Sequence, residues 1–215
     1  MSLLYNYLLF DAARAEMNLY TAMELNKNYQ SLYKGSAEED LEGVAPYLFT
    51  IKENTPFADW YFKEGWNKSW GTLVFANAAF EDVYKHFRKF LMVKTEDGQQ
   101  LYFRFYDPRV LRIFLPTAEP TQLKELFGPI RHFTVESEKP AEALQFWLEN
   151  STLKTKTMPF DQTVFHKAEA PSIEIPSKEE EKETVTVSSI QKEEEPEVIA
   201  LVEKTKKKWN FYTEE

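Results

Sequence analysis

Between Phe103 and Pro116 the chain reads FRFYDPRVLRIFLP, an aromatic alternating run that meets a helical pattern at an Asp-Pro-Arg corner. Phe103 and Phe105 alternate with Arg104 and Tyr106, the two-residue period of a strand with two different faces. Asp107 suits a helix N-cap, and Pro108 suits the first helical position, where no amide donor is needed. Val110, Leu111, Phe114 and Leu115 then recur at helical spacing and are expected to face a core. That leaves Arg109 and Arg112 on the wet face and makes Pro116 the stop. An Asp at such a junction is commonly steadied by a nearby Arg. A structural role for Arg104, Asp107 and Arg109 is therefore weighed ahead of a catalytic one.

The rest of the N-terminal part alternates between strand and helix signals. Leu3 to Phe10 is almost continuously apolar, as for a strand covered on both faces, and Asp11 is expected to cap a helix through Met23. Pro46 to Ile51 and Trp70 to Ala76 read as strands. Thr55-Pro56 opens a short helix that ends at Gly65, and Asn77 is placed to cap the next helix. In that helix Phe80, Val83, Tyr84, Phe87 and Phe90 form the clearest amphipathic pattern of the chain. Leu91 to Lys94 and Gln100 to Tyr106 flank a Gly98 turn as a hairpin. A helix from Pro120 closed by Gly128-Pro129, a strand near Phe133 to Val135 and a helix from about Pro140 to Leu148 complete the pattern. The expectation is an α/β domain over residues 1–150, built on a mixed sheet of about five strands with flanking helices.

Composition narrows the possible partners and chemistries. Of 215 residues 43% are hydrophobic and 15% aromatic, enough for a packed core, and the formal net charge is −9. That charge opposes non-specific attraction to nucleic acid or to anionic lipid, so neither is expected as a partner. The chain has no Cys, which removes disulfides and cysteine ligands or nucleophiles. The apolar N-terminal run is too short to span a bilayer and has no basic residue before it, so a soluble, cytoplasmic protein is expected.

Residues 168–215 hold 13 acids and 7 bases, against 22 and 19 in the rest, and residues 169–197 contain three prolines and no aromatic side chain. Such a segment cannot bury enough surface to order itself, and residues 151–197 are read as a largely disordered acidic linker. Val198, Ile199, Leu201 and Val202 followed by a lysine cluster and Trp209 suggest a short docking helix over 198–215, or else a frayed terminus.

Chemical motifs are sparse. Six glycines form no phosphate-cradling or nucleophile-elbow arrangement, and His86, His132 and His166 have no metal-ligand spacing, so no cofactor or metal is expected. His86 and Arg88 beside Lys89 read either as an anion patch or as a solvated helix face. Trp66 and Trp70 in GWNKSWG read either as interface anchors or as core.

Taken in order, Asp11-Ala12-Ala13, Leu32-Tyr33, Val44-Ala45-Pro46-Tyr47-Leu48, Ser69-Trp70-Gly71, His86-Phe87-Arg88-Lys89-Phe90-Leu91, Phe103 to Leu111 and Phe127-Gly128-Pro129 form a series. Over about residues 5–135 this series resembles the adaptor, or effector-chaperone, domain of bacterial type VI secretion systems. The resemblance implies a non-catalytic protein that holds a secreted toxic effector in the cytoplasm and helps load it on the valine-glycine-repeat spike protein. It carries over Arg104, Asp107 and Arg109 as signature positions without a reaction. Many members of that family add a helical lobe where this chain continues into its acidic tail. Two alternatives stand beside it: a small enzyme or anion-binding domain using Arg104, Asp107, Arg109 and His86 on a phosphate-like group, and a structural subunit of the secretion apparatus.

Overall fold

A computed structural model of the chain describes residues 5–34, 41–95, 100–160 and 209–211. Strand β1 (Tyr5–Asp11) leads into helices α1 (Ala12–Ala15) and α2 (Asn18–Leu25) and strand β2 (Tyr29–Ser31). A 3₁₀ turn at Glu42–Val44 precedes β3 (Pro46–Thr50), and α3 (Pro56–Trp60) runs on as a single π turn, Tyr61–Gly65. Then follow β4 (Gly71–Ala76), α4 (Phe80–Arg88), β5 (Met92–Thr95), β6 (Gln100–Tyr102), α5 (Pro108–Thr117), α6 (Pro120–Phe127), β7 (Ile130–Glu136), β8 (Glu142–Glu149), β9 (Thr152–Pro159) and β10 (Trp209–Phe211).

Helices on a sheet were expected, and the layering is that of an α/β protein, but the sheet is larger and of one kind. Seven strands in the order β2-β3-β1-β4-β7-β8-β9 pair antiparallel throughout. A mixed sheet of about five strands does not form because β1 lies between β3 and β4. Those two strands run the same way on either side of a helical crossover, yet they do not meet: β3 lies between β2 and β1, and β4 between β1 and β7, all opposed to them. A second, three-stranded sheet has the order β10-β5-β6.

Alternation along β1 divides the interior. Tyr7 and Leu9 join a core with Val83, Tyr84 and Phe87 of α4, Val110, Leu111 and Phe114 of α5, and Leu123, Leu126 and Phe127 of α6. Leu8 and Phe10 join the opposite core, with Leu19 and Ala22 of α2, Phe57 and Ala58 of α3, Trp66 and Trp70. β1 is therefore covered on both faces, as its nearly continuous apolar run requires.

Several local expectations are corrected. The helix expected from Asp11 through Met23 is broken at Glu16, whose φ of 51° is left-handed. Ala79, not Asn77, stands at the N-cap of α4. The strand expected through Tyr106 stops at Tyr102, and Pro116 lies inside the last turn of α5. Pro140 to Leu148 is not helical. Asn150 and Ser151, both at positive φ, make a two-residue turn that folds β8 and β9 into a hairpin. Strand β9 consequently occupies residues assigned to the linker that was to begin at 151. The remainder of that linker, residues 161–197, lies outside the described residues, as does most of the segment 198–215; its described part, Trp209–Phe211, is strand rather than helix. Among the described residues no helix is long and apolar enough to cross a membrane.

Candidate functional site: the paired-aspartate corner

The corner itself forms as the residue types dictate. Asp107 caps α5, accepting from the Arg109 amide at 3.0 Å, with Pro108 at the first helical position. The Arg109 side chain then folds back on the same carboxylate, Nε donating at 3.1 Å and Nη2 at 2.8 Å. This bidentate fork takes the guanidinium off the wet face; Arg109 keeps 19% side-chain exposure and Asp107 none. Arg112 is drawn in as well, donating to the Glu136 carbonyl at 2.8 Å.

Arg104 points the other way. Its Nη2 donates to Asp11 Oδ2 at 2.6 Å and lies 3.6 Å from Asp107 Oδ2, so one guanidinium spans two fully buried carboxylates. Asp11 ends β1 at the position ahead of α1, but its side chain makes no cap bond. Burial raises the Asp11 pKa, the Arg104 charge and hydrogen bond only partly offset that, and the Asp107 charge adds to it. For Arg104 burial works against the cation, and the attraction of Asp11 and Asp107 outweighs it, so its pKa is raised. The Thr72 hydroxyl donates to the Tyr106 carbonyl at 3.2 Å and fixes the corner to β4.

Around the ion pairs stands a ring of tyrosines. The Arg104 guanidinium lies 5.9 Å from the centre of the Tyr106 ring. Tyr33 shares a hydrogen bond with Tyr106 and lies 6.4 Å, ring centre to ring centre, from the exposed Tyr102. Burial, then the neighbouring Asp11, raises the pKa of Tyr106. For Tyr33 burial is again the main cause of a raised value, with Tyr102 adding to it. Arg88 holds the Leu32 carbonyl at 3.1 Å and lies 5.8 Å from the centre of the Tyr84 ring. The end of β1, the segment after β2, α4 and the corner are thus tied by cations on carboxylates, carbonyls and rings.

The other sequence candidates sit elsewhere. His86 contacts α6, with Nε2 2.8 Å from the Leu126 carbonyl, and burial lowers its pKa. A side chain on Gly128 would collide with that imidazole, and Gly128 has a φ of 41°. The group proposed to hold a phosphate therefore reduces to three residues already engaged with one another or with Asp11, and His86 is occupied by a backbone carbonyl. Trp66 and Trp70 are buried in the second core, Trp66 stacked on Phe160 at 3.9 Å between ring centres, so neither is an exposed anchor. Their loop is held by Glu136, which accepts from the Ser69 amide at 2.7 Å and the Ser69 hydroxyl at 2.8 Å, while burial raises the Glu136 pKa. Among the described residues no group of three His, Asp or Glu side chains could hold a metal ion.

What this corner can do chemically is hold elements together. Its guanidinium donors are aimed at aspartates of the same chain, and the carboxylates are buried. A family model described as a domain of unknown function (DUF4123) matches residues 6–125, which span both aspartates, Arg88, Arg104 and Arg109. Neither a curated protein nor a solved structure matches significantly.

Proposed function

The chain belongs to the DUF4123 family, and from that premise we propose that it is a non-catalytic adaptor, or chaperone, of a type VI secretion system. It binds a toxic effector in the cytoplasm and helps load it on the valine-glycine-repeat spike protein. The ordered motif series supports this reading through its resemblance to such adaptors. The observation that carries it in the fold is the distribution of exposed apolar side chains. Met17 is 74% exposed, Tyr20 51% and Val44 48%, and Leu25 and Leu41 are exposed as well. Met17 and Tyr20 share the outer side of the α1–α2 elbow with Glu24, and the 3₁₀ turn carrying Val44 packs on α1. Glu16, Glu24 and Glu42 are exposed around them. Exposed apolar side chains near one elbow, with exposed carboxylates on the same elements, suit a protein-binding surface for an effector segment that is apolar in part.

The test is affinity purification of the tagged protein from its native cell, followed by reconstitution with the captured effector and spike. Tyr20→Glu is expected to weaken effector binding at least tenfold. Its unfolding free energy should stay within about 0.5 kcal/mol of the parent, since the side chain leaves the core untouched. Unchanged capture by Tyr20→Glu and Met17→Glu sinks this surface as the docking site. Secretion of every effector at normal levels from a deletion strain sinks the adaptor reading as a whole.

A further inference from the structure

The Asn150-Ser151 turn finishes the seven-stranded sheet on a long edge. Strand β9 pairs with β8 at every position from Pro159 opposite Glu142 to Thr152 opposite Glu149, and among the described residues no strand pairs with its other side. The closing pair of a two-residue hairpin exchanges both main-chain bonds, so the amides and carbonyls of Thr152, Lys154, Lys156 and Met158 point to β8. Two contacts at the far end agree with this. The Ser137 amide donates to the Glu142 carbonyl, which turns Glu142 toward β7, and the Phe160 amide donates to the Ala141 carbonyl at 2.7 Å. The main-chain groups of Leu153, Thr155 and Thr157 therefore point outward, and Pro159, next in that series, has no amide to offer. Both ends of the strand are anchored, since Leu153 packs against the first core and Met158 against the second.

Directly opposed residues share a face of a sheet, so Lys154 and Lys156 stand side by side on one face, opposite Trp147 and Gln145. Both lysines are exposed; Lys154 Nζ lies 3.7 Å from Glu149 Oε2, and Lys156 meets no carboxylate among the described residues. A second copy of the chain is a poor occupant of this edge. The one antiparallel register that engages all three outward residues of both copies is centred on Thr155, and it sets each Lys154 directly against Lys156 of the other copy. Lysines on an edge strand guard it by such repulsion, and the guard is selective, because it leaves the outward main-chain groups free. Carboxylates two positions apart on an incoming strand turn the same two charges into cross-strand ion pairs. We propose that the outer edge of β9 accepts an extended segment of a partner protein that carries acidic residues at alternate positions. Main-chain bonds to Leu153, Thr155 and Thr157 supply the affinity, and Lys154 and Lys156 supply the selection. The edge shares no residue with the α1–α2 surface, and its test uses neither effector nor spike, so either proposal can fail alone.

The probe is a fluorescein-labelled peptide, Thr-Val-Glu-Val-Glu-Val-Thr, read by fluorescence polarisation against the full chain, beside the same peptide with lysine in place of glutamate. The acidic peptide is expected to bind about tenfold more tightly, since two opposed pairs change from repulsion to attraction. The double variant Lys154→Glu, Lys156→Glu should reverse that order. Thr155→Pro removes an outward amide and leaves the β8 ladder intact, so the fold should hold while affinity for the acidic peptide falls about tenfold. Amide exchange at Leu153, Thr155 and Thr157 should slow in the parent when the acidic peptide is added. No binding to the folded parent, equal affinity for the two peptides, or binding that Thr155→Pro leaves unchanged overturns the proposal. If Thr155→Pro does not fold, the acidic peptide methylated at every amide nitrogen takes its place, and undiminished binding of that peptide overturns the proposal. Exchange at the three outward amides that is already slow in the free monomeric parent means that a segment of the same chain covers the edge. A dimer that Thr155→Pro dissolves means that a second copy covers it, and either outcome overturns the proposal.

Discussion

Two helices of this molecule begin just after a fully buried aspartate, and the two carboxylates meet their cations in opposite ways. Asp107 is served by its neighbour: Arg109 gives it an amide and a guanidinium fork from two positions on. Asp11 stands at the same place ahead of α1, makes no cap bond, and depends on Arg104, 93 residues away. The local arrangement says where a helix starts. The distant one says which parts of the chain must meet, because it lashes the end of β1 to the corner before α5. Burial leaves Asp11 with a raised pKa in spite of its partner.

Removing the distant partner is the hardest test of this contrast. Arg104→Ala should lower the unfolding free energy by about 3 kcal/mol, because it strands a buried carboxylate. Adding Asp11→Asn should restore part of the loss in a chemical denaturation series. If single and double variants unfold alike, the pair is not coupled and the contrast fails.

The local arrangement should give less. Asp107→Ala removes a cap and the partner of Arg109, at a cost of about 2 kcal/mol, whereas Asp107→Asn keeps an oxygen for the cap and should lose about half of that. Equal losses for the two would mean that the charge, not the cap, matters at this junction.

The smallest effect is a pH dependence. A carboxyl whose folded pKa lies above its unfolded value binds more protons in the folded state, so its contribution is fully present below the unfolded value near 3.8. That contribution is lost as pH rises through the higher folded value. The stability of the parent relative to Asp11→Asn should therefore improve on acidification across that window. An opposite slope in paired denaturant titrations would show that Arg104 overcompensates for burial.

The same contrast explains what could be read in advance. Asp107-Pro108, Thr55-Pro56 and the apolar stripe of α4 are local signals, and all three form as expected: the Thr55 hydroxyl accepts the Ala58 amide, and Val83, Tyr84 and Phe87 are buried. Asp11 looked like another cap because nothing within its own segment tells of Arg104. Arg109 and Arg112 looked solvated because helical periodicity records which side faces the core, and it cannot register a guanidinium curling back onto Asp107 or reaching the Glu136 carbonyl. For β8 the signal was present and outweighed. Ala143, Leu144, Trp147 and Leu148 match a helical spacing, while the deciding feature is the Asn150-Ser151 turn and the threonine-rich strand beyond it. Trp66 and Trp70 were undecidable because residue type alone does not tell an anchor from a core residue.

Strand β1 has a bearing on how the fold comes apart. Its odd-numbered side chains Tyr7 and Leu9 belong to one interior and its even-numbered Leu8 and Phe10 to the other, while its two edges are paired to β3 and β4. A strand engaged on four sides cannot be withdrawn from one half while the other stays shut. The amides of Leu8 and Leu9 should then exchange with solvent only through complete unfolding, at a free energy matching the denaturant value, and the two halves of the seven-stranded sheet should melt in a single transition.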